Sequence, residues 1–175
     1  AGRPVVISFL MQKGGSGKST SCVCLSQLMA NLGFRTIVLD IDNQRSSYAY
    51  LNSRITNFAT DAQTSQKNNI PEEVFIKTKE SIDPFVDCQF VSQNTFSANW
   101  WSENLEKFQN YDIIFIDTPG NRTDEDDGGF NNLFDIHKAA FTGVSHITAA
   151  LVSNVAILPT RQTGFDLDVF TRYCL

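Results

Sequence analysis

A glycine-rich loop joining an apolar strand to a helix constrains this chain more than any other feature. Residues 4–10 read Pro-Val-Val-Ile-Ser-Phe-Leu, a β-branched and aromatic run suited to a buried strand. Gln12-Lys13-Gly14-Gly15-Ser16-Gly17-Lys18-Ser19-Thr20 follows directly. Beyond it Leu25, Leu28, Met29 and Leu32 fall at i, i+3, i+4 and i+7, which predicts one apolar helix face, and Gly33 supplies a stop. Residues 35–41 return to strand character. Strand, loop, helix and strand make a βαβ unit, which requires parallel strands and a right-handed crossover. Glycines in such a loop let backbone N–H groups turn inward around phosphate oxygens, and the helix N-terminus adds positive potential. Lys18 is spaced to reach the β- and γ-phosphates, and the Ser19 hydroxyl to ligate Mg²⁺. The usual phosphate-loop pattern has glycine at position 12, where this chain has Gln12.

The rest of the chain extends the same architecture. Its 175 residues suit one domain, read here as a single unit over 1–175. Hydrophobic residues at 42% and charged residues at 19% exclude a disordered or fibrous chain. A net charge of −5 argues against a broad basic surface for nucleic acid, and leaves room for a local patch. No apolar run reaches the ~20 residues of a bilayer span. Cys22, Cys24, Cys88 and Cys174 lack metal-type spacing, which indicates reduced thiols and a cytoplasmic setting. Short strands are expected at 88–91, 111–117 and 154–158, and helices at 100–109, 131–150 and 164–173. Pro71-Glu72-Glu73 reads as a helix start, and 52–70 as loop or weak helix. Strands alternating with helices make the fold α/β, with a mainly parallel sheet flanked by helices.

Two clusters of acid accompany the loop. The second strand ends Val38-Leu39-Asp40-Ile41-Asp42-Asn43-Gln44, and an extended strand would put Asp40 and Asp42 on one side. Ile113-Ile114-Phe115-Ile116-Asp117 is a buried strand ending in a carboxylate, followed by Thr118-Pro119-Gly120.

Lys13 carries the family information. Lys-Gly-Gly-x-Gly-Lys-Ser is the deviant Walker A sequence, and the chain resembles the ParA/MinD group of P-loop ATPases, most closely the ParA-like partition members. The resemblance implies a Mg-dependent ATP hydrolase, slow and partner-stimulated, that dimerises on ATP. Lys13 would reach the partner protomer's phosphates while Lys18 acts in cis. Lys13, Gly14, Gly15, Ser16, Gly17, Lys18, Ser19 and Thr20 would bind ATP, with Gly120 sensing the γ-phosphate. Segment 4–51 corresponds to the phosphate loop and first switch, and 111–120 to Walker B and the second switch. Ser19, Asp40 and Asp117 would serve Mg²⁺, Asp40 from the second shell and Asp117 through a coordinated water. Asp42 would orient the attacking water. Val155-Ala156-Ile157-Leu158-Pro159 and Asp166-Leu167 also match the family. Implied partners are a second copy, a centromere-binding adaptor and non-specific DNA, with no membrane. Family members continue for several dozen residues further, so the chain reads either as C-terminally truncated or as a naturally short form.

Two alternatives stay open. Asn43 stands where the family has proline, which favours a nucleotide-gated interaction module with little hydrolysis. A small-molecule ligase or kinase could share the loop, although no substrate constellation accompanies it. His137 and His146 carry no sign of a shared metal, Asp124-Glu125-Asp126-Asp127 reads as a solvated loop, and Trp100 and Trp101 as one inward and one exposed aromatic on a helix.

Overall fold

The computed structural model describes residues 2–11, 15–53, 86–120 and 145–160. Strand β1 spans Val5–Phe9, helix α1 Lys18–Asn31 and strand β2 Thr36–Asp40. Residues 46–53 are helical (α2), so the expectation of loop or weak helix from 52 onward begins inside a helix. Strand β3 spans Val86–Phe90, helix α3 Ala98–Asn104, a 3-10 turn Leu105–Phe108 and strand β4 Ile113–Asp117. Helix α4 covers Ser145–Val152 and strand β5 Val155–Ile157. The expected features at 54–70, at Pro71-Glu72-Glu73, in the acidic loop, at 131–144 and at 164–173 lie outside the described residues, as do His137 and Cys174.

The described strands form a five-stranded sheet in the order β3-β2-β4-β1-β5. Every pairing in it is parallel. Alternation of side chains along the strands divides the core into two layers. Val38, Ile113, Phe115 and Phe9 face α1 and pack with Cys22, Ala30 and Leu51. Ile37, Leu39, Ile114 and Ile116 face the other way, against Phe96, Trp101, Phe108 and Ala149. A sheet buried on both faces explains why β2 and β4 are buried at every position.

Helix α1 presents a different face from the expected one. Leu28 is 50% exposed and Leu32 64%, whereas the buried stripe is Cys22, Ser26 and Ala30 at four-residue spacing. Small side chains at those positions let the helix approach the strands closely, and Val23, Leu25 and Met29 pack from its flanks. Cys22 is a packing residue as expected, but Cys24 is exposed. The stop at Gly33 holds: its φ is +92°, its N–H donates to the Ala30 carbonyl, and the Phe34 N–H donates to Met29. That pair of bonds satisfies the last helical carbonyls.

Candidate functional site

Parallel strands bring their C-terminal ends to one edge, where three chain segments meet. In the sheet register Asp117 lies beside Phe9 on one side and Asp40 on the other. Asp40 shares the parity of Val38, and Asp117 that of Phe115, so both carboxylates project on the α1 side. Both are fully buried. Lys18 opens α1 immediately beyond the glycine loop and is 5% exposed.

Local backbone geometry explains the loop's composition. Gly15 has φ +75° and Gly17, the residue capping α1, has φ +87°. A Cβ on Gly17 would meet only the Ser21 hydroxyl, at 4.0 Å, so conformation rather than space demands glycine there. The residue at the helix N-terminus, Gly17, has no side chain to cap it. Ser16 Oγ is buried without a hydrogen-bond partner at the same end. A polyanion supplies the acceptors such a terminus calls for. Lys13 and Gly14 lie outside the described residues.

The Asp117 carboxylate is held unevenly. The Ser47 hydroxyl donates to Oδ2 at 2.6 Å, while Oδ1 is buried with no hydrogen-bond partner. Burial raises the pKa of this carboxyl, against the hydroxyls of Ser47 and Ser19 and the Lys18 ammonium, which favour its charged form. For Lys18 burial lowers the pKa, opposed by the charges of Asp117 and Asp42. Cation and acids thus face one another across the mouth of the loop.

Asp40 is tied more tightly. Its Oδ1 accepts the Asp42 N–H at 3.0 Å and its Oδ2 the Tyr48 N–H at 2.8 Å. Burial nevertheless pushes its pKa up to about 6. Strand β2 ends at Asp40, so strand alternation does not extend to Asp42. The chain turns instead: the Asp42 carboxylate accepts the Gln44 N–H at 2.9 Å and its carbonyl the Arg45 N–H at 2.8 Å. Arg45 has φ +53°, and its guanidinium lies 4.0 Å from the centre of the Phe90 ring.

The residues fit a magnesium site of the nucleotide-assisted kind. Asp117 Oδ1 is an oxygen donor without a protein partner, and the Ser19 hydroxyl lies beside the same carboxylate. Both are hard ligands, and Mg²⁺ takes few protein ligands beyond waters and phosphate oxygens. Both oxygens of Asp40 are already committed to backbone N–H groups, which suits a supporting position rather than direct ligation.

Three functional contacts were not anticipated from sequence. Ser47 on Asp117 has no signal, because a lone serine in a helix start is commonplace. Thr118 Oγ1 donates to the Phe9 carbonyl at 2.6 Å, fastening the residue after Asp117 to β1. His146, read from sequence as unremarkable, places Nε2 2.9 Å from the Pro119 carbonyl oxygen. Gly120 is half-buried at the end of the described segment.

A family model described as an AAA domain matches residues 5–123, which contain the glycine loop, Lys18 and the three acids but not His146. The chain belongs to that AAA domain family. The ParA/MinD-type resemblance and the helix-flanked parallel sheet are therefore both met. An uncharacterized protein of Methanocaldococcus jannaschii is 30% identical to this AAA domain over 128 residues, 65% of this chain and 49% of the relative. The chain thus spans about half the length of that curated relative. Its fold is similar to a plasmid partition protein of Borrelia burgdorferi bound to AMPPNP, with TM-score 0.58 and 18% identity over 97% of this chain and 68% of that one. It is also similar to a Cyanothece McdA variant in complex with ATP, with TM-score 0.54 and 14% identity over 98% and 62% of the two chains. At such identities the likeness concerns the fold. Among the described residues, no helix is long and apolar enough to cross a membrane.

Proposed function

We propose that this AAA domain is a Mg-dependent ATPase that dimerises on ATP binding and acts as a nucleotide switch in plasmid or chromosome partition, or in positioning another cargo on DNA. One observation carries the reading: Lys18, buried at the first turn of α1, faces the buried acid Asp117 across an N-terminus that has no side-chain cap. A buried cation, a helix N-terminus entered through glycines at positive φ and an acid with one uncommitted oxygen are the complement of a magnesium-bound triphosphate. The similar folds that carry AMPPNP or ATP point to the same ligand class.

In this reading the loop Gly15–Thr20 cradles the phosphates and Lys18 offsets charge on the β- and γ-oxygens. Ser19 and Asp117 would hold Mg²⁺, with Asp40 supporting from behind; the ion would neutralise charge on the transferring phosphoryl group. Asp42 orients the attacking water. Lys13 contributes its ammonium to the partner protomer's triphosphate, so that hydrolysis, stimulated by an adaptor protein, ends the dimer. Partition on DNA then requires a non-specific DNA contact, which the chain's net charge of −5 restricts to a local patch.

Sedimentation with ATP and Mg²⁺ tests the reading. Asp42→Ala is expected to accumulate as a dimer, and Lys13→Ala to bind ATP while remaining monomeric. Monomer alone in the wild type and in Asp42→Ala overturns dimerisation. Turnover that a DNA-bound adaptor leaves unchanged, with transfer of the γ-phosphoryl group of ATP to a small-molecule acceptor and ADP as the other product, would favour a kinase instead.

A further inference from the structure

The contact between His146 and Pro119 joins helix α4 to the second switch, and nothing in the proposed chemistry uses it. A carbonyl oxygen only accepts, so at 2.9 Å His146 Nε2 carries the proton and donates. His146 is 4% exposed, and Pro119 is buried, so no bulk water competes for this bond. The Pro119 carbonyl and the Gly120 N–H belong to one planar trans peptide, in which they point in opposite directions. Holding the carbonyl toward α4 therefore aims the Gly120 N–H away from α4. Helix α4 packs on the face of the sheet that carries Ile114 and Ile116, while α1 packs on the opposite face. The bond from Thr118 Oγ1 to Phe9 fixes the residue just before this peptide, leaving rotation of the Pro119–Gly120 unit as the freedom to be controlled.

We infer that His146 is a positioning residue for triphosphate recognition: its Nε2–H orients the Pro119–Gly120 peptide so that the Gly120 N–H is presented to the terminal phosphate. The inference rests on the ATPase reading, and deepens it by assigning discrimination between tri- and diphosphate to a residue on another element. Glycine at 120 suits this role, since a peptide flanked by a residue without Cβ rotates at little steric cost. Histidine suits it as well. If the peptide turned over, the Nε2 of the other tautomer could accept the N–H, so both orientations have a partner.

The test compares binding of ADP and of a slowly hydrolysed ATP analogue, each with Mg²⁺, by titration calorimetry. Wild type is expected to prefer the analogue. His146→Phe should keep its affinity for ADP and lose about tenfold for the analogue, the usual effect of one hydrogen bond to a charged group. His146→Gln, whose amide reaches the Nε2 position, should restore most of the preference. If His146→Phe fails to fold, His146→Asn, whose amide is too short, replaces it. An unchanged ratio in the Phe or Asn variant overturns the inference and leaves the ATPase reading standing. Equal loss for both nucleotides, without rescue by Gln, assigns His146 to packing alone and also overturns it. Failure of wild type to bind either nucleotide removes the ATPase reading and this inference together.

Discussion

Ser47 Oγ donates a 2.6 Å hydrogen bond to Asp117 Oδ2, linking residues 70 apart in sequence, both fully buried. Tyr48, the next residue, donates its N–H to Asp40. The start of α2 is thereby fastened to both strand-end acids, which themselves sit side by side in register. Movement of residues 41–48 must disturb a carboxylate, and a change in charge at either carboxylate must be felt by that segment. A device that answers to ligand charge needs a mechanical link of this kind.

Ser47→Ala is expected to destabilise the nucleotide-free domain by about 2 kcal/mol, the range for a lost hydrogen bond to a buried charged group. Denaturant melts of Ser47→Ala, Asp117→Ala and the double variant measure the coupling directly. Additive losses would mean that the contact contributes nothing.

Much of this arrangement was legible in the sequence, for a physical reason. Buried parallel strands must be continuous apolar runs, so Val5–Phe9, Thr36–Asp40 and Ile113–Asp117 stand out, and their terminal acids with them. A loop that needs positive φ must spend glycines, so Gly15 and Gly17 mark the loop. The buried face of helix α1 is not legible in this way, because hydrophobic periodicity assumes that large side chains face inward. Here close approach to the sheet selected Cys22, Ser26 and Ala30. Ser47 and His146 were invisible because each acts through a single long-range bond, and one polar residue has no period. Strand alternation alone puts Asp42 on the same side as Asp40, but β2 ends two residues earlier, where the chain turns to let Asp40 collect backbone N–H groups.

The pH dependence of stability should carry the mark of Asp40. Its folded pKa of about 6 lies above the ordinary 3.8, so between those values the folded state binds more protons than the unfolded. Stability therefore falls as pH rises from about 4 to 6 and the loss is complete above that, about 3 kcal/mol at most from this group. Asp117, also raised by burial, acts in the same direction. In Asp40→Asn the slope should flatten over that window. Overall stability should also drop, because an amide N–H then faces a backbone donor. A wild-type profile that climbs from pH 4 to 6 would contradict this.

Lys18→Met should keep the fold and lose the ligand. The methionine stem fills the buried path, and removing a cation whose charged form burial disfavours relieves a desolvation penalty. Triphosphate affinity should drop at least 100-fold, the effect of withdrawing a charge-assisted contact from a phosphate. Calorimetric titration together with a thermal melt separates the two effects. A folded Lys18→Met that binds ATP normally would dissociate the loop from phosphate recognition.

Helix α1 offers a test of packing that does not involve the nucleotide. Ala30 is 3% exposed against the α1 side of the sheet, with Phe9, Val38 and Phe115 in the same core layer. Ala30→Leu has no room for the added branch without lifting the helix, and overpacking of this kind costs about 1–3 kcal/mol. Leu32, at 64% exposure, should accept serine within about 0.5 kcal/mol, although a reading by apolar periodicity would put it in the core. Gly33→Ala should cost about 1 kcal/mol, because φ +92° is strained for any residue with a Cβ. Denaturant midpoints of the three variants rank these effects. Should Leu32→Ser destabilise more than Ala30→Leu, the small-residue stripe does not form the contact and the large-residue face does.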